Sequence, residues 1–369
     1  MIPSPFVSSS SSARPSLRFG AALVSVALLA AAAVGCTKKS SGDAESAPSS
    51  GAQASGKQPF PDSAPITEAP APTSKPDNPL KGAKLFVDPE SLAMLQAKNI
   101  RRTDPAKADI LDKIAKQPQA LWMGEWNSNI FRAVEHFVKR AKADGSVPVM
   151  IAYNIPLRDC GQYSQGGLSN KEAYQRWIRN VAAGIGDDAA VVILEPDALG
   201  HFQECLTPEQ KAERMFLLKD AVKVLRQNPK TAVYLDAGHA QWATVEEMVP
   251  RLKEAGIEYA NGFSLNVSNY VTTEENAAYG RKISEQTGGS HFVIDTSRNG
   301  NGPNMELPEA IRWCNPPGRK IGQAPTTETG DPLIDGYLWL KRPGESDGEC
   351  QGGPKAGVFW LEQALQQAQ

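Results

Sequence analysis

Where an apolar run stops and a carboxylate follows, a strand can deliver an acid to a cleft. The stretch AVVILEPDALG (190–200) does this with Glu195 and Asp197. Five other runs end in the same manner. YNIPLRDC closes on Tyr153, Arg158 and Asp159, and DAGHAQW opens with Asp236 and carries His239 and Trp242. NVSNY starts at Asn266, DTSRNG holds Arg298, and KRPGESDG holds Lys341, Glu345 and Asp347. Carboxylates and amides hydrogen-bond sugar hydroxyls, and indole faces stack on the apolar faces of pyranose rings. Cleaving a glycosidic bond requires one carboxyl group kept protonated as the acid and others to handle water. The set therefore suits a neutral, polyhydroxylated substrate. The four histidines are far apart, and there is no HExxH or CxxC spacing and no nucleotide-binding loop. Neither a metal nor a cofactor is expected.

The elements that must present these residues follow from patterning. VPVMIAY, AVVILEP, TAVYLDA, HFVIDT and GYLWLK have strand length and β-branched content. Between them lie segments with helical spacing. NIFRAVEHFVKRAKADG is one, and TPEQKAERMFLLKDAVKVLRQN is another, with Thr207 as N-cap and Pro208 at the first helical position. Strand then helix, repeated over about 290 residues, predicts one α/β domain on a parallel sheet. At this length a β/α barrel is favoured, and its catalytic groups belong at the carboxyl ends of the strands. Trp177, Trp339 and Trp360 fall on core spacing.

The 369 residues carry a net charge of −2, so nothing points to nucleic acid or to electrostatic membrane binding. Residues 1–36 read as an export signal: Arg14 and Arg18 precede the apolar AALVSVALLAAAAVG. The segment closes on AVGC, which resembles the bacterial lipobox. That implies cleavage before Cys36, lipidation of its thiol, and an exported protein held at a cell surface or outer membrane. Residues 37–79, mostly Ser, Ala, Pro, Gly, Lys and Asp, cannot bury enough apolar surface to offset their ordering entropy and read as a disordered tether. Residues 80–369 form the predicted catalytic domain.

Five blocks resemble glycoside hydrolase family 6, the inverting cellulases: YNIPLRDCG, ILEPDALG, YLDAGHAQW, RWCN with TGDPLIDGYLWLK, and PGESDG. The resemblance implies hydrolysis of β-1,4-glucan on a distorted, seven-stranded parallel β/α barrel, without metal or cofactor. By it, Asp197 is the general acid and Asp159 the neighbour that raises its pKa by repulsion. Ser164 holds the attacking water, and Tyr153 lies under the reacting sugar. The base is either Asp347 or a water chain through Asp159 and Ser164. Trp122, Trp313, Lys341 and Glu345 match binding residues on the non-reducing side, and His239 and Trp242 match the leaving-group side. Asn266 and Asp236 line the cleft, while Arg158 and Arg298 hold ionised partners and Glu195 is buried and hydrogen-bonded. The family pairs Cys160 with Cys205 and Cys314 with Cys350. Leu157 departs from the polar residue of many relatives. Lys341 to Cys350 carries almost no insertion, which favours an open cleft and an endo-acting enzyme; a monomer is expected. The alternatives are a cellobiohydrolase, or a glucan-binding surface lipoprotein that does not cleave.

Overall fold

The computed structural model describes residues 57–73 and 80–369. The export signal, Cys36 and residues 37–56 and 74–79 of the tether lie outside the described residues. Seven strands run β1 (Leu121–Met123), β2 (Val149–Ala152), β3 (Ala190–Leu194), β4 (Thr231–Asp236), β5 (Gly262–Leu265), β6 (His291–Asp295) and β7 (Ile334–Leu338). The helices are α1 (Leu92–Ile100), α2 (Pro105–Ala115), α3 (Ile130–Ala143), α4 (Lys171–Ile185), α5 (Pro208–Leu225), α6 (Val245–Glu254), α7 (Thr273–Gln286) and α8 (Leu361–Gln367). Helices α5, α6 and α7 each start with a reciprocal capping box: Thr207 with Gln210, Thr244 with Glu247, Thr272 with Glu275. Two orphan donors are satisfied at each start, so these boundaries are set locally.

The strands are ordered β1 to β7 in sequence, and every ladder is parallel. Successive side chains take opposite faces, as the pleat requires. Ile151, Tyr153, Val191, Ile193, Tyr234 and Val293 share one apolar cluster. Their neighbours Met150, Ala152, Val192, Leu194, Leu235 and Ile294 belong to the larger cluster that holds the helices. Burial on both faces explains why these strands read as unbroken apolar runs. No ladder joins β1 to β7. The gap is spanned by Ala120 N–H donating to Trp339 O at 3.1 Å and Trp122 Nε1–H donating to Leu340 O at 2.9 Å. The seven-stranded parallel architecture agrees with the expectation. Strand β1 went unread because three residues are too few to show a period. The GYLWLK run is displaced: β7 begins at Ile334 and ends at Leu338.

The tether reading needs correction over residues 60–70. Asn180 on α4 brackets the Phe60 peptide, accepting from its N–H at 2.9 Å and donating to its carbonyl at 2.8 Å. Asp220 on α5 accepts from Ala69 N–H at 2.8 Å, and Glu68 pairs with Lys223 at 2.6 Å. This strap is poor in apolar side chains, as composition indicated. It is ordered because two helices supply polar partners for its backbone, something its own composition cannot reveal. Among the described residues, no helix is long and apolar enough to cross a membrane.

Candidate active site

The opening pair of carboxylates parts company at the end of β3. Glu195 N–H still bonds Ala152 O at 2.8 Å, but Glu195 and Asp197 both take left-handed backbone angles, φ 51° and 69°. The two-residue alternation of a strand no longer applies there. Glu195 is fully buried and accepts from Asn154 N–H (2.9 Å), Ile155 N–H (3.0 Å) and Tyr174 O–H (2.9 Å). It clamps the end of β2 to β3, and burial lifts its pKa to about 7.

Asp197 goes elsewhere. Its carboxylate accepts from Tyr153 O–H at 3.3 Å, and its N–H donates to Asp236 Oδ2 at 3.0 Å. Burial chiefly, helped by the Asp159 charge, pushes its pKa up to about 6, while His201 and Lys341 oppose the rise. Repulsion by Asp159 therefore acts as expected but is not the leading cause. Asp197 remains half-buried, so its proton stays reachable. Asp236 is 1% exposed and spends its oxygens internally, on Asp197 N–H, Gly238 N–H (3.1 Å) and Ser264 O–H (3.1 Å). It braces the acid rather than facing the cleft. Burial and the nearby Asp197 raise its pKa to about 8.

Asp159 opens the loop after β2, accepting from Ser164 N–H at 2.7 Å. Leu157, Asp159 and Cys160 all have positive φ. Arg158 departs from the role implied for it. Its guanidinium pairs with Glu125 (2.7 and 2.9 Å) and donates to the carbonyls of Tyr153 and Ser164, holding none of the catalytic carboxylates. Glu125 lies 33 positions away, which no local pattern could disclose.

Asp347 is pinned from several sides. Arg298 Nη1 reaches both its oxygens (3.0 and 2.9 Å), Asn315 N–H and Tyr270 O–H donate at 3.0 and 3.2 Å, and Lys341 Nζ lies 3.5 Å away. Burial alone would raise its pKa. The charges of Arg298 and Lys341 overcome this and hold it below the usual carboxylate range. Arg298 itself is completely buried, its guanidinium 4.4 Å from the Tyr270 ring. Lys341, itself buried, also acts electrostatically on Asp197, so one ammonium links the two halves of the site.

Around this cluster stand the aromatic residues. Trp122 is half-buried and edge-on to Tyr153, with ring centroids 5.2 Å apart. Trp313, also half-buried, has Tyr163 at 6.0 Å. On the other side His239 lies 5.6 Å from Trp242, and burial lowers its pKa to about 4, so the imidazole is neutral. Trp242 lies flat on Gly200, where a Cβ would come within 2.6 Å of the ring. Like Asp236, two further residues expected in the cleft are committed elsewhere. Asn266 is fully buried, its amide donating to Val271 O and Asp295 O, and Glu345 is 3% exposed and paired with Arg342 at 2.6 Å.

Sequence patterning does not point to several further participants: His201, Tyr163, Tyr174, Tyr270, Asn315 and Asp295. Asp295 accepts from four backbone N–H groups, those of Ser268, Ser297, Leu340 and Lys341, and so ties together the ends of β5, β6 and β7. It is the exception that carries a signal, since it closes the β6 run as Asp236 closes β4. Cys160 bonds Cys205 and Cys314 bonds Cys350, the pairing the resemblance implied.

Residues 80–369 match the family described as Glycosyl hydrolases family 6. The chain belongs to this family. Endoglucanase A of Cellulomonas fimi is 46% identical over 285 residues, which are 77% of this chain and 60% of that protein. Endoglucanase 1 of Streptomyces halstedii is 44% identical over 288 residues, 76% of this chain and 86% of the relative. This chain therefore spans less than two thirds of the Cellulomonas fimi protein. Among solved structures, the endoglucanase Cel6 of Mycobacterium tuberculosis, in complex with methyl-cellobiosyl-4-deoxy-4-thio-β-D-cellobioside, is 45% identical with a TM-score of 0.75. It aligns with 79% of this chain, and 98% of its own chain is covered.

Proposed function

We propose that the protein is an endo-acting β-1,4-glucanase that inverts the anomeric centre, with Asp197 as general acid. The observation that carries this reading is the state of Asp197: half-buried, hydrogen-bonded by Tyr153, braced through its backbone by Asp236, with a pKa of about 6. A carboxyl group in that condition retains a proton to give to a leaving sugar oxygen. Similarity to proteins named endoglucanases, and the short passage from Lys341 to Cys350, support internal cleavage in an open cleft.

Asp347 suits the base role poorly. A carboxylate whose proton affinity is depressed by Arg298 and Lys341 has little drive to take up a proton. We assign activation of water to Asp159, acting through a water held at Ser164, and give Asp347 the part of a fixed negative charge facing the positive charge that develops on the sugar. Trp122 and Trp313 stack sugars on the non-reducing side, assisted by Lys341, and His239 and Trp242 receive the leaving chain. An exported, monomeric enzyme tethered by lipid at Cys36 completes the reading; the apolar leader and the two disulfides support export, and the AVGC stretch supports the lipid anchor.

The test is release of reducing sugar from carboxymethylcellulose and barley β-glucan. Asp197→Ala is expected to lower kcat by about 10²–10⁴-fold, the usual weight of a general acid. NMR of the first product should show the α anomer, and viscosity should collapse well before reducing ends accumulate. Equal release by wild type and Asp197→Ala, or a β product, overturns the assignment.

A further inference from the structure

His201 stands at the meeting point of the acid, the loop after β2 and the leaving-group side. It lies four residues beyond Asp197, in the short 3₁₀ turn Gly200–Gln203, and is 7% exposed. Its Nδ1 is 2.6 Å from Glu204 Oε2, and its Nε2 is 3.5 Å from Asp159 Oδ1. A ring with a carboxylate oxygen at each nitrogen can satisfy both only by donating from both, which is the imidazolium form. Burial by itself would disfavour that charge. The carboxylates of Asp159, Asp197 and Glu204 outweigh burial and raise the His201 pKa to about 9. The Cys160 sulfur is also near, but it is bonded to Cys205, so no metal is held there. The ring meets Trp242 edge-on, with centroids 4.7 Å apart.

Two buried arginines also pack against this turn, Arg214 of α5 donating to Ala198 O at 3.3 Å and Arg251 of α6 donating to Leu199 O at 2.9 Å. His201 faces Asp159 from the loop, Glu204 from its own turn and Asp197 from the end of β3. Asp197 faces Tyr153, Asp159, His201 and Lys341, with Asp236 beneath its backbone. We propose that His201 is a positioning residue: a permanent cation that anchors Asp159 beside the acid and sets the upper pH at which Asp197 still carries its proton. Asp159 alone would push that limit upward by repelling an ionised neighbour. The imidazolium offsets this, so the acid surrenders its proton to substrate more readily than an isolated pair of buried carboxyls would. The inference rests on Asp197 being the acid.

The experiment compares wild type, His201→Gln and His201→Lys by the pH dependence of kcat/KM on a soluble cello-oligosaccharide. Loss of the cation should move the alkaline limb upward by about one pH unit, as expected for one charge a few ångströms away at a partly buried site. The kcat at the optimum should fall about tenfold as Asp159 loses its anchor. His201→Lys, which restores charge without the ring, should bring the limb back toward wild type. A purely structural histidine would reduce the folded fraction and leave the limb in place. A limb unmoved in folded His201→Gln overturns the proposal. If the variants do not fold, ¹⁵N NMR of the wild type, with four histidines to assign, decides the matter. Imidazolium persisting at pH 8 supports the proposal, and a neutral ring at pH 7 overturns it. Activity surviving Asp197→Ala would refute the acid assignment instead, and the NMR titration, which needs no substrate, still tests the charge.

Discussion

At the scale of single residues, the site separates its carboxyls by environment more than by position. Asp197 and Asp236 are pushed up by burial, whereas Asp347, buried like Asp236, is held down by Arg298 and Lys341. The acid should therefore fail first as the medium turns alkaline, with kcat/KM declining above about pH 6. A profile flat from pH 6 to 8 would contradict this. The Arg298–Asp347 pair yields a second expectation. Both side chains are buried, so Arg298→Met takes the nearest counter-charge from a buried carboxylate, leaving Lys341 at 3.5 Å, and should cost about 3–5 kcal/mol in urea unfolding. Adding Asp347→Asn should recover much of that loss. If the double variant is no more stable than the single, the pair is not what holds this wall. The partners of Arg298 and Arg158 lie 49 and 33 positions away, beyond the reach of any local pattern, and only Asp347 lies within a block that resembles the family.

Among the elements, the loop after β2 and the strap along α4 and α5 show how short segments are held without a core of their own. The loop turns through left-handed Leu157, Asp159 and Cys160 and is tied at its base by Arg158 and by Cys160–Cys205. Its tip, Tyr163, is half-exposed, lies against Trp313 and covers Gly348, where a Cβ would stand 2.5 Å from the ring. That contact joins the Ser164 wall to the Asp347 wall. Tyr163→Ala should lower kcat about tenfold by loosening the loop that carries Ser164, while Tyr163→Phe, which keeps the ring, should stay near wild type. Equal rates for all three would mean that the ring has no role in holding that loop. For the strap, Asn180→Ala removes both bonds to the Phe60 peptide and should cost about 1–3 kcal/mol, the net value of two hydrogen bonds. Thermal unfolding measures it, and an unchanged midpoint would show that the strap adds nothing to the domain.

For the whole molecule, the buried acids and His201 make stability a function of pH. Glu195, Asp197 and Asp236 have raised pKa values of about 7, 6 and 8, so their contribution is present at low pH and is lost from about pH 4 through pH 8. His201, raised to about 9, contributes fully below its ordinary value near 6.5 and loses that contribution as pH passes 9. Asp347 and Asp220, both lowered, act in the opposite sense and lose their contribution as the medium turns acid. Calorimetry should find the highest Tm near pH 4–5 and a decline from there toward pH 9; a Tm rising across that range would contradict these assignments. Much of this protein was legible beforehand. The alternation of strands and helices, the N-cap at Thr207 and the acids at strand ends follow from periods and from partners within a few positions, and such rules act on the chain as written. The state of each acid was not legible. That Glu195 and Asp197 diverge, that Arg158 serves Glu125, that residues 60–70 lie ordered on α4 and α5, and that His201 carries a charge were decided only by packing. Proton affinity and ion pairing depend on exclusion of water and on groups far away in the chain, and both come into being only when the barrel has formed.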